Sequence, residues 1–310
     1  MRISTFWNNQ LGVNAMLDQQ SKLSDTQLKL SSGKKYLNPS ENATAATNLI
    51  DLDQNIKENQ QFQVNISAAR QRLSLEETSL DNATGVLHRI RELTVQGLND
   101  SNTATNRQQI AMEVSELNKH LLNIANTKNA NGEYIFSGYK TDQPAYNTST
   151  YAYNGDGNTR LIAIGPSTDP TNPSRVIADG DPGVNVFGAV QTPPPALTPG
   201  SISNVFQAVA QIASDLNANT PKKGSLDDLD AALVRFNTTR ASAGARLNAL
   251  DAQENLNADY ILDNKTTASE IGDLDYADAL SKFNLQQISL QAAQQAFTKV
   301  QNLSLFNYIS

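Results

Sequence analysis

Two histidines, His88 and His120, are the only candidates in this chain for imidazole acid–base chemistry or imidazole metal ligation. Either role would require the two rings to meet across two helices, with a carboxylate such as Glu92 or Glu116 beside them. Glu116 and His120 are four residues apart and would share one helix face. Because this spacing is common on solvated helices, we interpret both histidines as surface residues rather than as a site.

Two acidic segments could be taken for calcium ligands. Asp227, Asp228 and Asp230 lie at the start of a predicted helix, where the positive end of the helix dipole accounts for them. Residues 154–158 (NGDGN) resemble part of a calcium loop but lack the closing glutamate of an EF-hand. Asn-Gly is also a strong hairpin signal, so this segment is predicted to be a turn.

Composition and motifs give no support to an enzyme. The absence of cysteine excludes disulfides, thiolate metal sites and a cysteine nucleophile. No GxSxG, HExxH or P-loop pattern occurs, and we predict no catalytic residue, no metal site and no cofactor. The net charge of −7 disfavours binding to nucleic acid. No apolar run is long enough for a signal-peptide core or a transmembrane helix, so we expect no cleaved signal and no membrane insertion.

The elements that would position any site are mostly helices. From residue 62 to residue 97, core-type side chains recur every 3.5 residues, which predicts one long helix of a bundle or coiled coil. Residues 99–102 end it, and a second helix is predicted with one apolar face from Ile110 to Ile124. The C-terminal half predicts a short helix from Val205 to Leu216 and a long one to Leu250, with Ser225 as its N-cap.

Each end of the chain also has a heptad seam, meaning a stripe of core-facing a and d positions. These two seams are less apolar than that of the long helix. Glutamines occupy several core-facing heptad positions in both, which lowers the stability of a two-helix coil and constrains its register. The C-terminal helix is also apolar off its main stripe, at Leu285 and Ile288 for example, so it needs more than one partner. We therefore predict that the ends pair and that assembly completes their burial. The predicted assembly interface comprises Ile3, Phe6, Val13, Met16, Leu23, Leu30, Leu280, Phe283, Leu290, Phe297, Val300, Leu303 and Phe306.

Residues 132–200 have a different character. They hold nine of the sixteen glycines and nine of the eleven prolines, which excludes long helices there. Short strands are predicted at 151–153, 161–164 and 184–187, and the prolines at 193–195 predict a stiff return linker.

The predicted fold is therefore mainly α. Both chain flanks form a long antiparallel helical bundle or coiled coil, with a small β-rich insert at its distal end. The predicted domains are a terminal coiled-coil layer (1–45 plus 274–310), a long-helix bundle (46–140 plus 200–273) and the β-rich insert (141–199).

Four short motifs lie on the flanks. Residues 1–5 read MRIST, and residues 30–46 contain SSGKK followed by NPSEN and paired alanines, with Ala43 where proline is frequent. Residues 121–141 contain NIANT and NGEYIFSGYKT, and residues 292–306 contain AAQQAF and LSLF. Together they resemble the flagellin superfamily, and the first and third resemble its hook–filament junction branch. The insert at 141–200 carries no pattern that we can assign.

The resemblance implies roles for particular residues. The link between the terminal layer and the bundle would contain Gly33, Asn38 and Pro39. The family-motif residues of the third segment would be Asn126, Gly132, Tyr134, Phe136 and Gly138.

The resemblance also implies a function. The protein would be a structural adapter of the bacterial flagellum, joining the hook, through the first hook-associated protein, to the flagellin filament. Its partners would be these two proteins, identical subunits in a ring, and an export chaperone on the C-terminal helix. It would pass unfolded through the flagellar type III export system to an extracellular position, with its terminal helices innermost and its insert outward.

Two other functions remain open at this point. One is a flagellin-like filament subunit. The other is a surface protein that binds or cleaves glycans through the insert, although the carboxylate pair expected of a glycosidase is not visible on the predicted strands.

Overall fold

Helices dominate the computed structural model, which describes residues 2–167, 174–188 and 203–309. The predicted mainly α fold with a small β element is confirmed. In chain order the α-helices are α1 (Arg2–Ser32), α2 (Ala43–Leu98), α3 (Ala104–Ala125), α4 (Gly183–Val186), α5 (Val205–Asn217), α6 (Ser225–Gly272) and α7 (Tyr276–Ile309). The other elements are a 3₁₀ turn at Pro39–Glu41 and the strands β1 (Leu161–Pro166) and β2 (Ser174–Ala178).

The chain divides into two compact units. One, here called the terminal unit, is Met1–Glu58 with Asp259–Ser310, and the other, the central unit, is Asn59–Ala258. Residues of α2 and α6 occur in both. The three-domain division proposed from the sequence stays a prediction.

The heptad seam predicted for α2 lies at the centre of the central unit's core. Its positions are buried along their whole length, and they comprise Phe62, Ile66, Ala69, Leu73, Glu76, Leu80, Ala83, Leu87, Ile90, Thr94 and Gly97. A Cβ added to Gly97 would overlap Leu216 of α5, so the absence of a side chain there lets the two helices approach closely. The spacing of 3.5 residues therefore identified both the helix and the face that it buries.

The shorter helices complete this core as their periodicity predicts. Ile110, Val114 and Leu121 of α3 are buried, and so are Val205 and Val209 of α5. Thr103 caps α3 by accepting a hydrogen bond from the Asn106 backbone N–H. Ser225, in contrast, is the first helical residue of α6 rather than its N-cap.

Five aromatic rings join the insert to the helices. Phe136 and Phe187 meet edge to face with centroids 5.1 Å apart, and Phe187 meets Phe236 of α6 in the same way at 5.2 Å. Tyr146 packs on Phe206 of α5 with centroids 4.7 Å apart. All five rings are fully buried. Such contacts stabilise a core beyond the burial of their area.

One predicted strand of the insert is confirmed, one is present only as an isolated antiparallel bridge between Tyr153 and Tyr146, and one is wrong. β1 contains residues 161–164 and pairs with β2 in antiparallel register, with a bulge between Ala163 and Gly165. Residues 184–187 instead belong largely to α4, which Pro182 precedes as N-cap, and Phe187 N–H closes its turn on the Gly183 carbonyl. Tyr151 has φ +56°, a left-handed value that no regular strand adopts. The prolines at 193–195 lie outside the described residues.

Candidate assembly surface on the terminal helices

Helices α1 and α7 of the terminal unit pack against each other in antiparallel orientation. Near the chain ends, a Cβ added to Gly12 of α1 would lie 3.1 Å from the Phe297 ring of α7. At the other end, Lys34 forms an isolated antiparallel bridge with Asp273. The predicted pairing of the two ends is therefore present in the single chain.

This pairing leaves the predicted interface half open. Val13, Met16, Leu23 and Leu30 of α1 are only partly buried, and none of the α1 side chains that the structure describes is fully buried. In α7, partly buried positions are Phe283, Leu290 and Phe297, whereas Leu280 is 52% exposed. The side chains of Ile3, Phe6, Val300, Leu303 and Phe306 lie outside the described part of the structure.

The glutamines mark the open side of the pair. Gln20, Gln27, Gln287 and Gln294 are exposed, although heptad spacing places them on core-facing positions. Two of them border a cavity of ≈ 320 Å³ between the helices, whose lining residues are Val13, Met16, Leu17, Gln20, Leu290, Gln294, Phe297 and Thr298. Two helices alone therefore do not close this seam.

Further apolar side chains, outside the heptad positions, are exposed. Leu285 and Ile288 of α7, expected from the sequence to need a second partner, are 66% and 64% exposed. Helix α1 carries a second set of exposed apolar residues that heptad spacing did not predict, comprising Trp7, Leu11, Leu17 and Leu28. These residues lie off the heptad register, and their spacing alone could have suggested a second face. Contiguous exposed apolar residues of this kind mark interaction surfaces.

The predicted link between α1 and α2 is a structured corner. Gly33 ends α1 with φ +69°, and its N–H donates to the Lys29 carbonyl. A Cβ there would lie 2.9 Å from the Tyr276 hydroxyl of α7. The backbone pairs across the corner as well, because Leu274 N–H donates to the Gly33 carbonyl and Lys35 N–H to that of Gly272.

Glu41 secures the second half of this corner. Its Oε1 accepts hydrogen bonds from the backbone N–H groups of Leu37 (3.0 Å) and Asn38 (3.2 Å). Its Oε2 lies 2.6 Å from Lys29 Nζ, and this bond together with the backbone bonds lowers the pKa of Glu41. Asn38 and Pro39 also border an open groove of ≈ 540 Å³, whose apolar lining includes Leu37, Leu49, Ile50 and Ile56.

The family-motif residues build a hydrogen-bonded loop in the central unit. Asn126 ends α3 and pairs with the backbone of Tyr146, donating to its carbonyl and accepting from its N–H, both at 2.9 Å. Phe136 is fully buried, and Lys128 lies 4.6 Å above the ring of Tyr134. Gly132 closes the preceding turn by donating to the Asn129 carbonyl at 3.0 Å.

Gly138 lets the end of this loop contact the 154–158 turn. Its φ is +67°, and an added Cβ would overlap the Asp156 carboxylate. Asp156 Oδ1 accepts hydrogen bonds from Tyr139 N–H (2.9 Å) and Asn158 N–H (3.3 Å), and the first of these bonds lowers its pKa. This carboxylate is therefore engaged by backbone donors, although residues 154–158 form bends rather than the predicted hairpin turn.

The groups weighed for chemistry are not brought together. His88 and His120 are both exposed, and Glu116 pairs with Lys119 at 2.6 Å. Asp230 pairs with Arg91 at 2.7 Å. In the described ranges no group of three or more His, Asp or Glu side chains is arranged to hold a metal ion. No helix within those ranges is long and apolar enough to cross a membrane.

Comparison with known proteins gives one consistent family. The family model "Bacterial flagellin N-terminal helical region" matches residues 3–141, and "Bacterial flagellin C-terminal helical region" matches residues 226–309. Flagellar hook-associated protein 3 of Escherichia coli K12 is 30% identical over 321 residues, covering 99% of both chains. The protein of that name from Salmonella typhimurium is 28% identical, with the same coverage.

A solved structure agrees with these sequence matches. The crystal structure of flagellar hook-associated protein 3 from Legionella pneumophila has a TM-score of 0.60 and 26% identity, and the match covers 71% of this chain and 98% of that one. The helical flanks, the full-length similarity and the shared fold show that the chain belongs to the flagellin family, in the branch of hook-associated protein 3.

Proposed function

We propose that this protein is a structural adapter of the bacterial flagellum that joins the hook to the flagellin filament. The observation that carries the proposal is its similarity, along its whole length, to two proteins named flagellar hook-associated protein 3. The proposed neighbours are the first hook-associated protein, flagellin and identical subunits in a ring. The proposed location is extracellular, at the hook–filament junction.

The terminal helices are the surface through which we propose that it assembles. Leu17, Leu28, Leu285 and Ile288 are at least half exposed, and the seam glutamines are open to solvent. Burial of one such leucine or isoleucine contributes about 1.5–3 kcal/mol. Packing against neighbouring subunits would therefore stabilise helices that a single chain buries only in part.

This incomplete burial is also compatible with export in an unfolded state. Helices that gain most of their burial from partners order when those partners are present, so the entropic cost of ordering is offset by contacts in the assembly. We propose passage through the flagellar type III export system without a cleaved signal, with a chaperone holding the C-terminal helix beforehand.

A gene deletion tests the adapter function. We expect deleted cells to make hooks without filaments and to release flagellin into the medium, and the wild-type gene to restore filaments. Electron microscopy of purified hooks, incubated with this protein and then with flagellin, should show filament growth only when both are added. Normal filaments on the deleted strain would contradict the adapter function.

The alternative is a filament subunit, since the matching family models are those of flagellin. Quantitative mass spectrometry of sheared filaments distinguishes the two. An adapter is expected at a few copies per filament and a filament subunit at the level of the major protein.

A further inference from the structure

A partly buried group of charges in the central unit, whose Arg160 and Glu133 side chains are 32% and 35% exposed, has no part in the proposed assembly surface. Its first centre is Asp179, which directly follows β2. The side chain of Asp179 is 2% exposed. Asp179 Oδ2 lies 2.8 Å from an Arg160 guanidinium nitrogen and 3.3 Å from Arg72 Nε. Arg72 of α2 is itself 8% exposed and also pairs with Glu133 of the motif loop at 2.9 Å. Helix α2, the motif loop, the residue before β1 and the residue after β2 thus meet in one network.

The second centre is Glu76, one turn further along α2 and 2% exposed. Its Oε1 accepts a hydrogen bond from the backbone N–H of Asp181 at 3.2 Å. The carboxylate of Asp181 pairs in turn with Arg246 of α6 at 2.7 Å. Glu76 Oε2 is buried and has no hydrogen-bond partner among the described residues. An ionised oxygen left unpaired in this position would carry a large desolvation cost.

The charges of the group do not balance when every carboxyl is ionised. The guanidiniums are Arg72 of α2, Arg160 before β1 and Arg246 of α6. The carboxyls are Glu76 of α2, Glu133 of the motif loop, and Asp179 and Asp181 after β2. Three positive charges therefore face four acidic groups, and the group becomes neutral when one carboxyl keeps its proton.

Glu76 is the carboxyl that keeps it. Burial, and next the negative charge of Asp181, raise the pKa of Glu76 to about 8 from an ordinary value of 4.5, against the opposing effects of Arg246 and Arg72. The geometry leads to the same assignment: Glu133, Asp179 and Asp181 each pair with an arginine, whereas Glu76 forms no ion pair among the described residues.

We propose that these residues form a proton-dependent clasp that holds the end of β2 on α2 and α6. With Glu76 protonated the clasp is neutral and closed. With Glu76 ionised it carries a fourth, poorly solvated negative charge beside Asp181, and it loosens.

The sign of the pH dependence follows from the raised pKa. Between about pH 4.5 and 8 the folded chain holds a proton on Glu76 that the unfolded chain has released. The stabilisation is therefore fully present below about pH 4.5 and is lost as the pH rises through about 8. One such proton can change the unfolding equilibrium constant by up to about tenfold per pH unit.

The test compares unfolding of the full-length wild type and Glu76→Gln in urea between pH 5.5 and 8.5. Glutamine copies protonated Glu76 and can still accept the Asp181 N–H bond. We expect the unfolding constant of the wild type, relative to the variant, to rise at least tenfold over this range. The matched control is Glu77→Gln, which removes a surface ion pair with Arg240 (2.7 Å). It should change the unfolding equilibrium constant by the same factor at every pH. If the unfolding constants of the wild type and Glu76→Gln changed in parallel with pH, the proposal would be overturned.

A second variant keeps the test decisive if Glu76→Gln does not fold. Asp181→Asn removes the neighbouring negative charge but retains the backbone donor, so the wild-type inflection should move to lower pH. Hydrogen exchange at residues 177–182, corrected for intrinsic rates, should rise with pH in the wild type before exchange in α3 does. An unmoved inflection, or exchange that rises equally in both regions, would overturn the clasp.

Discussion

The α2 seam of the central unit and the paired seams of α1 and α7 in the terminal unit share heptad spacing but differ in burial. Leu80 and Leu87 of α2 are fully buried, because α3, α5, α6 and the insert loops supply neighbours around the helix. Leu290 and Phe297 of α7 remain partly exposed beside exposed glutamines. Spacing therefore identifies the face of a helix that is buried, but not how many partners bury it. We infer that the central unit is complete as a single chain and that the terminal unit is completed by neighbours.

The largest expected effect is that of removing α7. Deleting residues 274–310 leaves α1 without its partner, and an isolated helix with a thin apolar stripe is marginal in water. We expect complete loss of filament attachment in a complementation assay and a retained cooperative helical melt by circular dichroism. Loss of that melt would show that the central unit depends on the terminal one.

A single charge in the terminal seam should have nearly the same effect on assembly. Phe297→Asp places a carboxylate against Gly12 in the half-open seam, where assembly would bury it at high cost. We expect no filament attachment and an unchanged melting temperature of the central unit. The control Gln295→Asp adds the same charge at an exposed position of α7 and should assemble normally. Normal assembly of Phe297→Asp would remove this seam from the interface.

Truncation of one leucine in each region measures the difference in burial directly. Leu80→Ala empties a fully buried site and should cost about 2–5 kcal/mol of unfolding free energy. Leu285→Ala, at a residue 66% exposed, should change the stability of the single chain by no more than about 0.5 kcal/mol. Urea unfolding of both variants checks this, and equal losses would mean that α7 is already covered in solution.

Effects smaller than that of Leu80→Ala should come from two glycines of opposite type. Gly33→Ala forces a side chain into a left-handed conformation beside the Tyr276 hydroxyl and should cost about 1–2 kcal/mol. Gly85→Ala lies in the interior of α2 with open space around it and should stabilise by about 0.5–1 kcal/mol. Thermal unfolding should show a lower melting temperature for Gly33→Ala and a higher one for Gly85→Ala. Stabilisation by Gly33→Ala would contradict the described corner.

Features that depend on local sequence were predicted more completely than contacts between distant residues, although one local segment was assigned wrongly. The α2 seam from Phe62 to Gly97 was predicted position by position because its signal is local and repeated many times. The strand predicted at 184–187 failed because Val-Asn-Val-Phe alternates like a strand, while Pro182 and Gly183 set a helical turn. Neither effect requires information from a distant part of the chain.

The clasp could not be predicted because its residues lie far apart in the sequence. Glu76 was correctly identified as a seam position, but Asp181, whose N–H it accepts, and Arg246, which pairs with Asp181, lie more than a hundred residues away. No spacing rule connects such residues. The open faces of α1 and α7 were predicted in part, since Leu285 and Ile288 lie off the main stripe, whereas Trp7, Leu11, Leu17 and Leu28 were not recognised.

Under the proposed assembly through α1 and α7, the contact of Phe297 with Gly12 has a consequence for how accurately subunits can be added. Gly12 is the only glycine of α1, so the ring has one place along that helix where it can approach the backbone closely. Sliding α7 by one turn would set the ring against a side chain such as Met16 instead. The contact of Phe297 with Gly12 therefore favours the observed alignment of the two helices. Each incoming subunit would present its apolar rows at one fixed height, so misaligned copies are discriminated against by geometry rather than removed after addition.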